Sequence, residues 1–243
     1  MLPLRITTCK RIPGGQVELM TLKHLLVLSF VLTGSLLFAQ GIPVSTLSES
    51  DLPKGLSYQG KLKEAVRWFD ESGVNLLLTT ETGETVHPVA DSESYRDKSL
   101  YAYHFLLYED SMAQTWKVSD YVRECPLDIL LNFIPGTLQV TDLDQDGIGE
   151  VWLMYHVDCL SDVSPVGMKI IVYEGKQKYA MRGENIVEPS KGQFIGGNYQ
   201  FDKAFNQGPE VFRDFAKKLW KANSKQKRSE EHTSELQSLR HLV

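Results

Sequence analysis

The chain has 243 residues, 26 basic and 31 acidic, for a net charge of −5, and 10% of it is aromatic. That length and aromatic content exclude a disordered chain and suit one domain with a substantial core. An acidic balance without a basic run excludes nucleic acid and anionic lipid as expected partners.

Neither end reads as folded protein. From Met20 the chain runs Met20-Thr21-Leu22-Lys23-His24 into an apolar stretch from Leu25 to Ala39. A basic start, a short apolar core and a small residue before Gln40 predict a secretory signal peptide over 20–39, with cleavage after Ala39. Leu37 is larger than the usual residue two places earlier, which keeps an uncleaved anchor as the alternative. Residues 1–19 lie upstream of this complete signal and are expected to be an over-extended start. At the other end, Arg228-Ser229-Glu230-Glu231-His232-Thr233-Ser234-Glu235-Leu236-Gln237-Ser238 resembles the translation of a sequencing adapter, so 228–243 is set aside. The remaining 188 residues hold 20 basic and 27 acidic side chains, a net charge of −7.

Within that span, 40–60 carries prolines, serines and glycines without periodicity and reads as a leader or linker before a single β-rich domain over 61–227. Lys63 to Phe69 and Asn75 to Thr80 flank the turn Asp70-Glu71-Ser72-Gly73, a hairpin signature. The polar stretch from Glu81 to Lys98 is expected to be a long surface loop. A second hairpin joins Ser99–Tyr108 to Thr115–Val118 across Glu109-Asp110-Ser111. Tyr121 to Phe133 suits either strand or short helix, with Pro126 as an interruption. Gly136–Thr141 and Val151–Val157 are strands on either side of an acidic loop, and Met168–Tyr173 and Lys178–Arg182 form a last hairpin. The period then changes: after Pro209, residues Val211, Phe212, Phe215, Ala216, Leu219 and Trp220 recur at helical spacing. The predicted fold is mainly antiparallel β, a sandwich or partial propeller-like arrangement, closed by one amphipathic helix packed on a sheet. Phe69–Asn75 also echoes Leu143–Gly149 at an offset of 74 residues, either as two related β-units or as two ordinary tight turns.

Cys125 and Cys159 are the only cysteines between the trimmed ends. An exported pair favours a disulfide, worth about 3 to 4 kcal/mol on the chain-entropy model; two buried thiols are the alternative.

The chemistry concentrates in Asp142-Leu143-Asp144-Gln145-Asp146-Gly147-Ile148-Gly149-Glu150. Carboxylates at loop positions 1, 3, 5 and 9 converge because alternate residues point the same way and Gly147 permits a sharp turn. A hard cation takes six to eight oxygens, so Asp142, Asp144, Asp146 and Glu150 are candidate calcium ligands; a solvated acidic turn is the alternative. Position 12 is Leu153, which rules out an EF-hand. The loop resembles the strand-loop-strand calcium loops of FG-GAP and related extracellular repeats, and that resemblance implies all four acids as ligands. Glu150 departs from the usual aspartate, which leaves a water-bridged role open to it.

His87, His104 and His156 with Ser161, Asp162 and Ser164 supply residue types for hydrolysis, but no catalytic motif organises them, so no catalytic residue is assigned. Trp68, Trp116, Trp152 and the many tyrosines suit either a sugar-stacking platform or the core and cross-strand pairs of a β protein. The run Asp142–Tyr155, with Cys159, Ser161–Pro165 and Lys178–Gly183, resembles a group of exported Bacteroidota proteins sometimes labelled surface polysaccharide biosynthesis proteins, over about residues 60–220. The resemblance implies a pathway and no mechanism. It leads to the expectation of an exported periplasmic or cell-surface protein of a Gram-negative bacterium. Such a protein would hold calcium structurally, bind a surface glycan or envelope protein, and have no membrane span in the mature chain. A polysaccharide-acting envelope enzyme and a protein-interaction module are the alternatives.

Overall fold

Leu76-Leu77-Leu78 breaks the apolar–polar alternation of a half-buried strand, and a strand of that kind needs cover on both faces. In the computed structural model, which describes residues 41–90, 93–160 and 164–225, all three leucines are fully buried. Each contributes about 1.5–3 kcal/mol by leaving water. The expected signal peptide, the over-extended start and the adapter-like tail lie outside the described residues, as do Ser161 and Asp162.

The leucines belong to a first antiparallel sheet. It contains β1 (Ser45–Thr46), β2 (Lys61–Asp70), β3 (Gly73–Glu81), β4 (Thr85–His87), β5 (Tyr95–Leu107) and β6 (Met112–Cys125). The spatial order is β1-β2-β3-β5, with β6 on the far edge of β5 and β4 continuing the β3 edge beside the first residues of β5. A second sheet contains β7 (Ile129–Phe133), β8 (Gln139–Thr141), β9 (Glu150–Cys159), β10 (Gly167–Glu174), β11 (Gln177–Glu184) and β14 (Tyr199–Phe201). Its order is β14-β11-β10-β9, and β7 and β8 share the outer edge of β9. A two-stranded ribbon, β12 (Ile186–Ser190) with β13 (Gln193–Gly196), stands apart from both.

The sheets face each other across one core. Val66, Trp68, Leu77, Trp116 and Val118 meet Leu131, Val151, Leu153, Tyr155 and Ile171. Cys125 at the end of β6 and Cys159 at the end of β9 are joined as a disulfide, so a covalent link spans the two sheets. The outer face of the second sheet, with Trp152, Met154, Ile170 and Met181, is covered by α1 (Lys203–Gln207) and α2 (Glu210–Asn223) through Phe205, Phe212, Ala216 and Trp220. The architecture is therefore a mainly antiparallel β-sandwich with a C-terminal amphipathic helix, as the hairpin pattern predicts. No helix among the described residues is long and apolar enough to cross a membrane.

Four differences from the sequence reading have local causes. The segment 41–60, expected as a leader or linker, belongs to the fold: Ile42 N donates to Val140 O of β8 at 3.0 Å, Ser45–Thr46 pair with β2, and Leu47, Leu52, Leu56 and Tyr58 pack on Ala65, Leu76, Leu78, Tyr103 and Phe105 of the outer face of the first sheet. The expected loop over 81–98 holds β4 and the start of β5, because Thr85–His87 pair with Tyr95–Asp97. Tyr121–Phe133 divides into strand, turn and strand, with Pro126-Leu127-Asp128 between β6 and β7. A short helix, α1, precedes the expected one; its N-cap Asp202 accepts a bond from Phe205 N.

Candidate metal centre

Glu150 begins β9 and is fully buried, pointing back into its own loop. Its carboxylate accepts from the Leu143 backbone N–H at 2.8 Å and from the Thr141 hydroxyl at 2.5 Å. Thr141 Oγ1 in turn accepts from the Trp152 indole at 2.7 Å. One side chain thus ties the two ends of the acidic loop together. Gln145 at φ 63° and Gly147 at φ 84° give the tight return, and Asp146 accepts from Ile148 N at 2.8 Å.

The loop gathers its aspartates. One carboxylate oxygen from each of Asp142, Asp144 and Asp146 lies within 4.8 Å of the others. A second group, on the same criterion, joins Asp144 and Glu150 to Glu174. Glu174 ends β10, and the register sets it directly opposite Glu150. Two like charges so placed work against strand pairing. Burial, and then the charges of Asp144, Asp146 and Glu150, push the Glu174 carboxyl up to about 7. Burial raises the Glu150 carboxyl above its usual range, although the bonds from Thr141 and Leu143 oppose the shift. The Tyr179 hydroxyl donates to Glu174 Oε2 at 3.1 Å. Asp142 Oδ1 and Glu174 Oε1 are buried without a hydrogen-bond donor among the described residues, and such oxygens are costly unless something positive meets them.

Sequence reasoning missed Glu174. Its only local signal is that it precedes the turn Gly175-Lys176; what brings it to the loop is long-range register, which spacing along the chain does not disclose.

The other sheet braces the loop. The turn between β2 and β3 meets it through two reciprocal bonds, Glu71 N to Gly147 O at 2.9 Å and Gly149 N to Asp70 Oδ2 at 3.0 Å. The two segments that echo each other at 74 residues are therefore neighbours in space. A Cβ at Gly147 would meet the Glu71 side chain at 2.6 Å, and one at Gly149 would meet the Trp68 indole nitrogen at 2.9 Å, so both glycines permit the contact. Burial alone would raise the Asp70 carboxyl. Bonds from Ser72, Gly149, Trp68 and Asn75 outweigh it and hold the pKa below the usual carboxylate value.

The three histidines weighed for catalysis lie on three different strands, each with its own neighbours. His87 stacks on Tyr95, with Nε2 3.3 Å from Asp97 Oδ2. His104 is buried on β5, where Nε2 faces Asn75 Oδ1 at 3.0 Å and Nδ1 faces the Thr115 hydroxyl at 2.5 Å. Asn75 Oδ1 can only accept, so Nε2 carries the proton and Nδ1 accepts from Thr115. Burial, opposed by the Asp70 charge, drops this imidazole to about 4. His156 lies on β9, half-buried and also lowered by burial. Trp68, Trp116 and Trp152 are core residues, and Trp116 has its faces against Tyr173 at 4.2 Å and His104 at 4.9 Å.

Comparison with protein-family models, curated proteins and solved structures returned no match.

Proposed function

We propose that this is an exported cell-envelope protein in which calcium holds the β8–β9 hairpin and the end of β10 as one rigid unit, and that the unit serves the binding or assembly of a surface polysaccharide. The observation that carries the metal reading is the convergence of Asp142, Asp144 and Asp146, joined through Asp144 to Glu150 and Glu174. Four of these carboxylates have oxygens free to ligate; Glu150, already engaged by Thr141 and Leu143, orients the loop and offers its remaining capacity to the same ion or to a bridging water. Export is supported by the signal pattern and by a disulfide between Cys125 and Cys159, a bond that persists in oxidising compartments. The glycan half rests on the family resemblance of residues 60–220.

At millimolar extracellular calcium, a site with a dissociation constant of about 10⁻⁴ to 10⁻³ M is about nine-tenths to one-half occupied. Calcium at about 100 times that constant adds about 2.7 kcal/mol of stability. Thermal denaturation with calcium or chelator is the test. The expected result is a calcium-dependent rise in Tm of roughly 5–10 °C, absent in the double variant Asp144→Asn/Asp146→Asn. An identical Tm with calcium and chelator overturns the metal reading. A glycan array with and without chelator tests the other half, and no signal on any glycan removes it.

A further inference from the structure

β11 carries Lys178, Ala180 and Arg182 on one face, and Ala180 lies in the core between the sheets, so all three belong to the inward face of the second sheet. The register sets Arg182 directly opposite Lys169 of β10. Lys169 is neutralised by Asp120 of the first sheet at 2.5 Å, and the same Asp120 oxygen accepts from the Tyr155 hydroxyl at 2.9 Å. Among the described residues Arg182 has no ion pair and no side-chain hydrogen bond, although the span 40–227 is acidic. Lys178 sits over the Tyr173 ring at 5.9 Å and likewise has no ion pair among them. Burial, and then the Arg182 charge, hold the Lys178 ammonium below its ordinary range, as crowded cations require. Two like charges facing each other across a strand pair, one of them unneutralised, break a local rule without an internal gain, and such breaks concentrate at functional sites.

Arg182 also borders an open cavity of about 670 Å³, lined in addition by Asp158, Glu184, Asn198, Tyr199 and Gln200. That volume is in the range of small-ligand sites. Asn198 and Gln200 are amides that both donate and accept, as hydroxyl groups require of their partners. Tyr199, set opposite Gly183 by the register, is 39% exposed and packs on Trp220 at 5.6 Å, so it borders the cavity from the helix-covered side. Asp158 and Glu184 are partly engaged, accepting from Gly167 N at 2.8 Å and from Asn198 Nδ2 at 3.4 Å. They accept hydroxyl donors and repel a second carboxylate, which confines an anionic group to the Arg182 end.

The geometry points to a binding site in this cavity for a saccharide unit that bears a carboxylate. Arg182 takes the carboxylate through its planar fork, and Asn198, Gln200, Asp158 and Glu184 meet the hydroxyls. The site names the ligand class for the glycan half of the proposed function and rests on that half; it is separate from the calcium loop.

A glycan array containing both uronic-acid and neutral oligosaccharides is probed with the parent protein, Arg182→Gln, Gln200→Ala, and Lys221→Gln as a surface-charge control. The expected result is retention of uronic-acid members at least tenfold above neutral ones. Arg182→Gln should lose that preference by about tenfold, Gln200→Ala should weaken binding severalfold, and Lys221→Gln should match the parent. An unchanged Tm for Arg182→Gln shows that its fold is intact; if that variant melts early, the Gln200→Ala result decides. Binding of neutral glycans alone, or uronic-acid binding that survives Arg182→Gln or Gln200→Ala, overturns the carboxylate site and leaves the glycan reading standing. No signal on any member overturns both.

Discussion

At the scale of single residues, His104 is a neutral imidazole locked between Asn75 and Thr115 in the core between the sheets. Its pKa falls to about 4 in the folded chain, against about 6.5 when unfolded. Between those values the unfolded chain binds the extra proton, so stability is full above pH 6.5 and is lost progressively as pH falls toward 4. The integrated loss is about 3 kcal/mol. His156, also lowered by burial, adds to the slope with the same sign. Glu174, raised to about 7, acts with the opposite sign over the same window, so the His104 share is read in a Glu174→Gln background: there, urea denaturation at pH 7.5 and pH 5 should show a lower midpoint at pH 5, and adding His104→Gln should remove most of that difference. An undiminished difference in the variant would assign the slope elsewhere.

Glu174 is the second residue that decides something. It is the one carboxylate of the cluster that comes from outside the acidic loop, and it is raised by burial and by the charges of Asp144, Asp146 and Glu150. Glu174→Gln removes a repelling charge from the calcium-free protein and a ligand from the calcium-bound one. The calcium-free variant should be at least as stable as the parent, while its apparent calcium dissociation constant should rise by about tenfold. Calcium titration monitored by thermal shift separates this from general damage, which would lower Tm without calcium as well.

At the scale of elements, what the sequence discloses is what it encodes locally. Asp70-Glu71-Ser72-Gly73 and Glu174-Gly175-Lys176-Gln177 are turn sequences between apolar runs, and both close hairpins. The 3.6-residue spacing of Phe212, Phe215, Ala216, Leu219 and Trp220 makes α2 visible for the same reason. The three aspartates of the acidic loop sit two apart on one short segment, so their convergence needs no knowledge of the rest of the fold. Other features have no such signature. β4 is three residues in a polar stretch and exists because Thr85–His87 find Tyr95–Asp97. Leu47, Leu52, Leu56 and Tyr58 follow neither a two-residue nor a 3.6-residue period, so their shared task on the outer face of the first sheet cannot be read from spacing. Glu174 and the facing pair Lys169 and Arg182 depend on register between strands, and register is settled by the whole face being buried.

At the scale of the molecule, the chain is layered: the segment 41–60, the first sheet, the second sheet, then the two helices. The disulfide and the reciprocal bonds between the β2–β3 turn and the acidic loop both run between the sheets. A layered body of this kind fails at an uncovered face. A chain starting at Lys61 would bare the apolar face that Leu76, Leu78, Tyr103 and Phe105 turn outward. Such a truncation should bind a hydrophobic dye, lose soluble yield and melt well below the parent. A truncated chain with the parent Tm would show the cover to be dispensable.

The position of that cover in the sequence also sets an order in time. Residues 41–60 leave the ribosome, and on the proposed reading cross the membrane, before any strand they rest on. Tyr103 and Phe105, part of the surface beneath Leu47 and Leu52, follow more than 40 residues later. Leu47, Leu52, Leu56 and Tyr58 have their full surface to rest on only once β2, β3 and β5 are paired, so this early stretch of the domain is among the last to settle. During that interval the apolar outer face of the first sheet is open to any partner that binds exposed hydrophobic surface.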